Sequence, residues 1–259
     1  MTLNRQVFNI WRIMIMVKAV ILAAGKGTRM KSDKPKVVHQ AMGRPMVYYS
    51  IEAARQAGAD RVCVIVGYKA EEVKKAISES VADVSVEYAV QSEQLGTGHA
   101  VKCAADFVGE DGDVIILCGD TPLVTGDTLK KALDYHQKND NGVTVISAML
   151  DDPYGYGRII RNGDTLEKIV EEKDADDSEK SVKEVNSGMY IFDCNDLQKA
   201  LGLISNDNAQ GEYYLPDTIE IIKKMGRKAA AIPMDDADQI RGVNTLEQLA
   251  AAEAIMRSR

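Results

Sequence analysis

The segment Leu22-Ala23-Ala24-Gly25-Lys26-Gly27-Thr28-Arg29-Met30, followed by Ser32-Asp33-Lys34-Pro35-Lys36, joins a stretch of small residues to a run of cations. Ala23, Ala24, Gly25 and Gly27 let backbone amides approach a phosphate closely, where larger side chains would keep it away. Between positions 26 and 36 stand five cations, Lys26, Arg29, Lys31, Lys34 and Lys36, against the single anion Asp33. Arg29 presents a planar fork for phosphate oxygens and Lys36 a point charge held by the stiff Pro35, whereas Lys31 and Lys34 are expected to be solubilising surface charge. The spacing is neither a Walker A loop nor a dinucleotide fingerprint, whose third glycine is missing. A second segment, Cys118-Gly119-Asp120-Thr121-Pro122-Leu123, gives a tight glycine exit and then a carboxylate that could bind a hard cation bridging phosphates.

Such groups need a scaffold that brings strand ends together. Short β-branched runs at 18–22, 61–66, 84–90 and 114–117 alternate with amphipathic stretches around 45–57, 71–80 and 98–107, and a helix over 125–138 and a strand over 143–149 follow. This alternation predicts an α/β fold, a Rossmann-like and mainly parallel sheet with helices on both faces, whose ligands bind beyond the carboxyl ends of the strands. After about Asp151 the texture changes. Short strands at 157–160 and 165–170, a charged and solvated loop at 171–183 and a strand at 187–192 predict a small β-rich insertion beside the sheet. Helices over 212–225 and 245–258 close the chain.

Composition narrows the function classes. The chain has 259 residues, 27% charged and 45% hydrophobic, and its net charge of −7 speaks against a nucleic-acid partner, which needs a broad basic face. Cys63, Cys103, Cys118 and Cys194 form no C-x-x-C pair, so reduced thiols and a cytoplasmic location are expected. His39, His99 and His136 lack metal-ligand spacing, and His39 and His99 are expected to pack or hydrogen-bond rather than act as acids or bases. No run of 18 uncharged apolar residues exists, so no membrane partner is expected. Arg5 and Arg12 ahead of the apolar run at 13–25 superficially resemble a signal peptide, but Lys18 interrupts it and 17–22 serves better as a first strand. Residues 1–16 are therefore expected to be an appendage, with Met14 and Met16 both possible starts.

The first loop with Pro35-Lys36, the segment Gln91-Ser92-Glu93-Gln94-Leu95-Gly96-Thr97-Gly98-His99-Ala100, and Asp120 in Gly-Asp-Thr-Pro-Leu together resemble the sugar-nucleotide pyrophosphorylases. Tyr156-Gly157-Arg158-Ile159, Ile169-Val170-Glu171-Glu172-Lys173-Asp174-Ala175, Asn186-Ser187-Gly188, Asn208-Ala209-Gln210-Gly211-Glu212-Tyr213-Tyr214-Leu215 and Gly242-Val243-Asn244 narrow this to the uridylyltransferase domain of bacterial N-acetylglucosamine-1-phosphate uridyltransferases. The match runs in order from about Val17 to the C-terminus. It implies a GT-A-like nucleotidyltransferase unit over 17–259, with UTP and N-acetylglucosamine 1-phosphate as substrates and Mg2+ as cofactor. By the same resemblance Ala23, Ala24 and Gly25, with Lys26 beside them, hold the nucleotide, Gln91 and Gly96 read the uracil, and Arg29 and Lys36 bind phosphates as the catalytic pair. Thr97 belongs with the nucleotide residues and also matches the sugar-phosphate pocket of Gly157, Glu171 and Asn186, although it could instead cap the helix near Gly98. Asp120 and Asn244 match the magnesium pair.

The implied chemistry is attack of an already ionised sugar phosphate on the α-phosphorus of UTP, which needs no general base. A pyrophosphorylase for glucose or N-acetylgalactosamine 1-phosphate, or a non-catalytic nucleotide-sugar sensor, are the rival readings. Pro216 stands where the family usually has Thr, and Pro is tolerated in a first helical turn. The family's hexapeptide β-helix acetyltransferase domain, which forms trimers, is expected to be absent, and this leaves the oligomeric state open.

Overall fold

The computed structural model describes residues 15–81 and 85–259. Most of the expected 1–16 appendage, and residue 84 at the start of one expected strand, lie outside the described residues. In chain order the elements are β1 (Val17–Ala23), β2 (Gln40–Ala41), β3 (Arg44–Pro45), α1 (Met46–Gln56), β4 (Arg61–Val66), α2 (Ala70–Ser80), β5 (Val86–Val90), α3 (Thr97–Cys103), α4 (Ala105–Val108), β6 (Asp113–Cys118), α5 (Gly126–Asn139) and β7 (Asn141–Met149). They continue with β8 (Arg158–Asn162), β9 (Thr165–Val170), α6 (Asp177–Lys180), β10 (Glu184–Asp193), α7 (Cys194–Leu201), α8 (Asp217–Lys224), β11 (Lys228–Pro233) and α9 (Leu246–Ser258).

The main sheet has the order β11-β7-β10-β6-β1-β4-β5. β1 pairs in parallel with both β4 and β6, and β4 with β5, so the chain fills one side of β1 before crossing to the other. That reversal of direction opens a crevice beyond the carboxyl ends of β1 and β6, where open α/β sheets bind ligands.

Side-chain alternation puts both faces of these strands in the core. Ala19, Ile21, Val62, Val64, Ile115 and Leu117 pack with Val47 and Ile51 of α1, Val73 of α2 and Leu129 of α5. Their neighbours Val20, Cys63, Ile65, Val114 and Ile116 pack with Val101 of α3, Leu197 of α7 and Ile219 of α8 on the other face. Lys18 keeps its place in buried β1 because its Nζ donates to the carbonyls of Val108 (2.6 Å) and Asp111 (2.9 Å), which satisfies a charge that would otherwise be costly to bury. A third, smaller core of Ala41, Met46, Leu123, Val243 and Ala252 seats α9 on the β2–β3 ribbon.

Three expectations need correction. The strand expected at 187–192 as part of an insertion is the middle of β10, a central strand antiparallel to β6 and β7; among the described strands of this sheet, the β8–β9 hairpin alone stands aside from the main order. The helix expected over 98–107 breaks at Ala104 into α3 and α4, and the one expected over 212–225 begins only at Asp217. Residues 213–215 are instead held extended by backbone bonds from Tyr213 N to the Leu95 carbonyl and from Gly98 N to the Tyr213 carbonyl, both 2.8 Å. Among the described residues, no helix is long and apolar enough to cross a membrane.

Candidate active site

Register sets the site. Leu22 of β1 lies opposite Cys118 of β6, so the 24–27 loop and Gly119-Asp120 leave the sheet side by side. Gly119 N donates to the Leu22 carbonyl at 2.9 Å, and a Cβ on Gly119 would come within 3.2 Å of that oxygen and of Val37. After the 24–27 loop, Gly27 at φ +66 starts a 3-10 turn over Thr28–Met30, and a second turn over Lys36–Val38 follows Pro35. A Cβ on Gly27 would lie 2.4 Å from that of Lys36, so the glycine makes room for the lysine stem.

Here four side chains from distant parts of the chain converge. Lys36 Nζ donates to Asp120 Oδ2 at 2.5 Å and to Asn244 Oδ1 at 2.8 Å, and Arg29 Nη2 donates to the same Asn244 oxygen at 2.9 Å. Asn244 is fixed through its backbone N, which donates to Gln248 Oε1 at 2.7 Å, and Val243 N donates to the Asp120 carbonyl at 2.8 Å. The Lys36–Asp120 pair is mostly buried, with 17% of each side chain exposed, while Arg29 is exposed.

Two hard oxygens, one carboxylate and one amide, therefore already aim at a single positive charge. That donor set suits magnesium, which takes few protein ligands and completes its shell with water and phosphate oxygens. Among the described residues no group of three or more His, Cys, Asp or Glu could hold a metal through protein ligands alone.

A cleft of about 300 Å³ adjoins these groups, lined by Ala23, Ala24, Gly25, Lys36, Gln91, Gly96, Thr97 and Asp120 of the expected residues. Lys26 lies outside that lining, exposed, with its ammonium 5.4 Å from the Tyr68 ring centre. Asp33, the one anion in the basic run, is paired with Lys69 at 2.7 Å, which holds its carboxyl below the usual range and leaves the loop cations less opposed. The Thr97 hydroxyl does not cap the helix: it accepts from Leu215 N at 3.1 Å and ties the 213–215 segment to the cleft wall. Cys118 and Glu212 also line the cleft, with no signal in their residue types that singles them out. Burial pushes the Cys118 thiol up to about 12, with Asp120 adding to the effect, so it stays neutral and is no nucleophile at pH 7.

Gly96 sits at φ +107, and a Cβ there would lie 2.5 Å from the Tyr213 carbonyl oxygen. Gly96→Ala is expected to cost about 1–3 kcal/mol of stability and to weaken nucleotide binding, read by thermal melting and titration calorimetry. An unchanged melting point would contradict this close approach.

The structure also brings Gly157, Glu171 and Asn186 together. A Cβ on Gly157 would lie 3.3 Å from Glu171 Oε1 and 3.5 Å from Asn186 Cβ, and Asn186 N donates to the Gly157 carbonyl at 2.8 Å. The register of β10 against β7 shifts between Asn186 and Met189, a bulge that re-aims Asn186. Its amide donates to the Tyr190 hydroxyl at 2.6 Å and accepts from Gly188 N at 3.0 Å. Cys118 Sγ, 3.7 Å from the Gly188 carbonyl, connects this pocket to the cleft.

Burial raises the Glu171 carboxyl, and Asp174 and Asp217 raise it further. Asp217, at the start of α8, is raised to about 6 by burial and by Glu220 and Asp174. A carboxyl that titrates higher in the folded than in the unfolded chain destabilises the fold when ionised, and this cost disappears as pH falls below the unfolded value near ~4. Asp217→Asn should therefore raise stability at pH 7 by about 1 kcal/mol, with the gain vanishing below that pH in denaturant melts. A gain that persisted at low pH would point to a cause other than charge.

Comparison with known proteins bears on this arrangement. The nucleotidyl transferase family model matches residues 18–240. "Bifunctional protein GlmU" of Caldanaerobacter subterraneus subsp. tengcongensis is 52% identical over 242 residues, which are 93% of this chain and 52% of that protein. The proteins of the same name from Acetivibrio thermocellus and Streptococcus suis are each 49% identical over 243 residues, with 93% of this chain covered, and 52% of the former protein. The chain spans about half the length of the curated relatives it matches. A crystal structure presented as a glucose-1-phosphate thymidylyltransferase from Bacillus anthracis, in complex with sucrose, superposes with a TM-score of 0.76 at 22% identity, covering 94% of this chain and 96% of that one.

Proposed function

Since the chain belongs to the nucleotidyl transferase family, we propose that it is a uridylyltransferase that makes UDP-N-acetylglucosamine and pyrophosphate from UTP and N-acetylglucosamine 1-phosphate. The observation that carries this reading is the meeting of Lys36, Arg29, Asp120 and Asn244 at the cleft that Lys36 and Asp120 line. The relatives of about 50% identity, matched by this chain over about half of their length, support the choice of substrates.

The attacking sugar phosphate is ionised at neutral pH, so no side chain has to remove a proton. The work left to the protein is to align two polyanions and offset their repulsion. Loop amides at 23–25 hold the nucleotide phosphates, and Gln91 and Gly96 read the uracil. Lys36 stabilises charge at the α-phosphate, and Arg29, with Lys26 nearby, holds the departing pyrophosphate. Glu171 and Asn186 accept and donate to sugar hydroxyls and the acetamido group. Asp120 and Asn244 would hold Mg2+, which when bound supplies charge neutralisation at the phosphate oxygens. A cytoplasmic location fits the free thiols of the four cysteines.

The test is pyrophosphate release with Mg2+ over a matrix of nucleoside triphosphates and sugar 1-phosphates. UTP with N-acetylglucosamine 1-phosphate should be the best pair. Preference for another sugar would reassign the substrate, and binding without release under every pairing would make the protein a sensor.

A further inference from the structure

The geometry points to His99 as the positioning residue that sets base choice, by locking the Gln91 side-chain amide with its oxygen toward the nucleotide. The inference rests on the reading of Gln91 as the uracil-contacting residue.

Gln91 is 4% exposed and lines the cleft. Its Nε2 donates to two acceptors: the Gly96 carbonyl at 3.1 Å, and His99 Nδ1 at 3.1 Å. An amide NH2 can only donate, so Nδ1 must be the unprotonated nitrogen of His99 and the ring proton sits on Nε2. Nε2 lies 4.0 Å from Cys103 Sγ, and burial raises the Cys103 thiol, so the sulfur is neutral and able to accept weakly. The ring is held against Tyr213, centroids 6.5 Å apart, by the same 213–215 segment that closes on the cleft.

Both hydrogens of the amide are thus spent inside the protein, and only Oε1 remains to face a base. Oε1 is an acceptor. It suits the N3–H of uracil and opposes the lone pair on N3 of cytosine. For cytosine to bind well the amide would have to turn over, which loses two hydrogen bonds and sets Oε1 against the Gly96 oxygen and the His99 lone pair. A site built this way rejects the wrong partner through the polar groups it leaves unpaired.

The test measures UTP and CTP binding by titration calorimetry in the full chain. Wild type should favour UTP by at least ~100-fold. His99→Leu removes one of the two locks and should lower the UTP:CTP ratio about 5- to 10-fold, whereas His99→Asn, whose Oδ1 can replace Nδ1 as acceptor, should keep most of it. Gln91→Ala should abolish the preference. If Gln91→Ala does so while folded His99→Leu retains the full ratio, the role of His99 is overturned and the reading of Gln91 stands. If wild type shows no preference for UTP, both fall. Nitrogen-15 spectra of histidine-labelled wild type give a readout that needs no variant to fold: a neutral His99 ring protonated at Nε2 supports the lock, and a proton on Nδ1 overturns it.

Discussion

Lys36→Ala should lower the turnover of the proposed UDP-N-acetylglucosamine synthesis by at least ~100-fold, the scale of removing one preorganised electrostatic group from a water-poor site. In the free protein the Lys36 ammonium bridges Asp120 and Asn244, from segments 84 and 208 residues further along the chain. Two roles for it make different predictions. If Lys36 only neutralises Asp120, its loss leaves a carboxylate short of a partner and lowers the melting point, with little effect on the reaction of the remaining folded protein. If it stabilises charge at the α-phosphate, the protein that remains folded also loses kcat. The second outcome is expected, because the ammonium stands at the cleft wall, and breaking the mostly buried pair adds a lower melting point to the loss of kcat. Lys36→Arg should recover only part of the activity, since a planar guanidinium does not reproduce the point charge that meets Asp120 Oδ2 at 2.5 Å and Asn244 Oδ1 at 2.8 Å. Steady-state pyrophosphate release beside thermal melting separates the two roles.

Asp120→Ala should be at least as damaging, about 100- to 1,000-fold in kcat/KM. Asp120 is the only carboxylate that meets Lys36 among the described ion pairs, and it is also the single charged oxygen in the proposed magnesium pair. The backbone around it would persist, because the Val243 N bond goes to the Asp120 carbonyl and not to the side chain. The fold should therefore persist with a lower melting point from the unpaired Lys36, and the loss of activity should resist rescue by extra magnesium. Asp120→Asn, which keeps the shape and removes the charge, tells coordination from packing: activity near wild type would assign Asp120 a spacing role and contradict the electrostatic account.

Much of the fold is legible in the sequence, and the exceptions have physical causes. The strand expected at 61–66 is β4 with the same bounds, since a β-branched run buried on both faces leaves few other options. The helix over 125–138 falls within a residue of α5, whose N-cap Thr125 accepts from Thr128 N. By contrast α7 and β11 passed unnoticed. β11 reads Lys-Ala-Ala-Ala-Ile-Pro, nearly without β-branched residues, and becomes a strand only because β7 offers an edge to pair with. The loop expected at 171–183 is largely solvated, yet it holds α6, a single short turn closed by an Asp176–Glu179 capping box.

In the site, the sequence could show which residue types were present but not which of them meet. Nothing local in Lys36 announces Asn244 as its partner, and Asn186 owes its direction to a bulge set by Gly188 at φ +76. The pairing of Gln91 with His99 was equally silent, because it depends on the approach of α3 to the end of β5. Residues that act through others, such as Gln248 behind Asn244 and Tyr190 beside Asn186, carry no signature beyond their hydrogen-bonding capacity.

Displacement of pyrophosphate from the α-phosphorus of UTP by the sugar phosphate can be followed with UTP labelled with phosphorus-32 at that atom. With N-acetylglucosamine 1-phosphate and Mg2+, the label should appear in UDP-N-acetylglucosamine, one for each unlabelled pyrophosphate released. Label recovered in UMP or UDP free of sugar, or label left wholly in UTP while the sugar phosphate is bound, would contradict it.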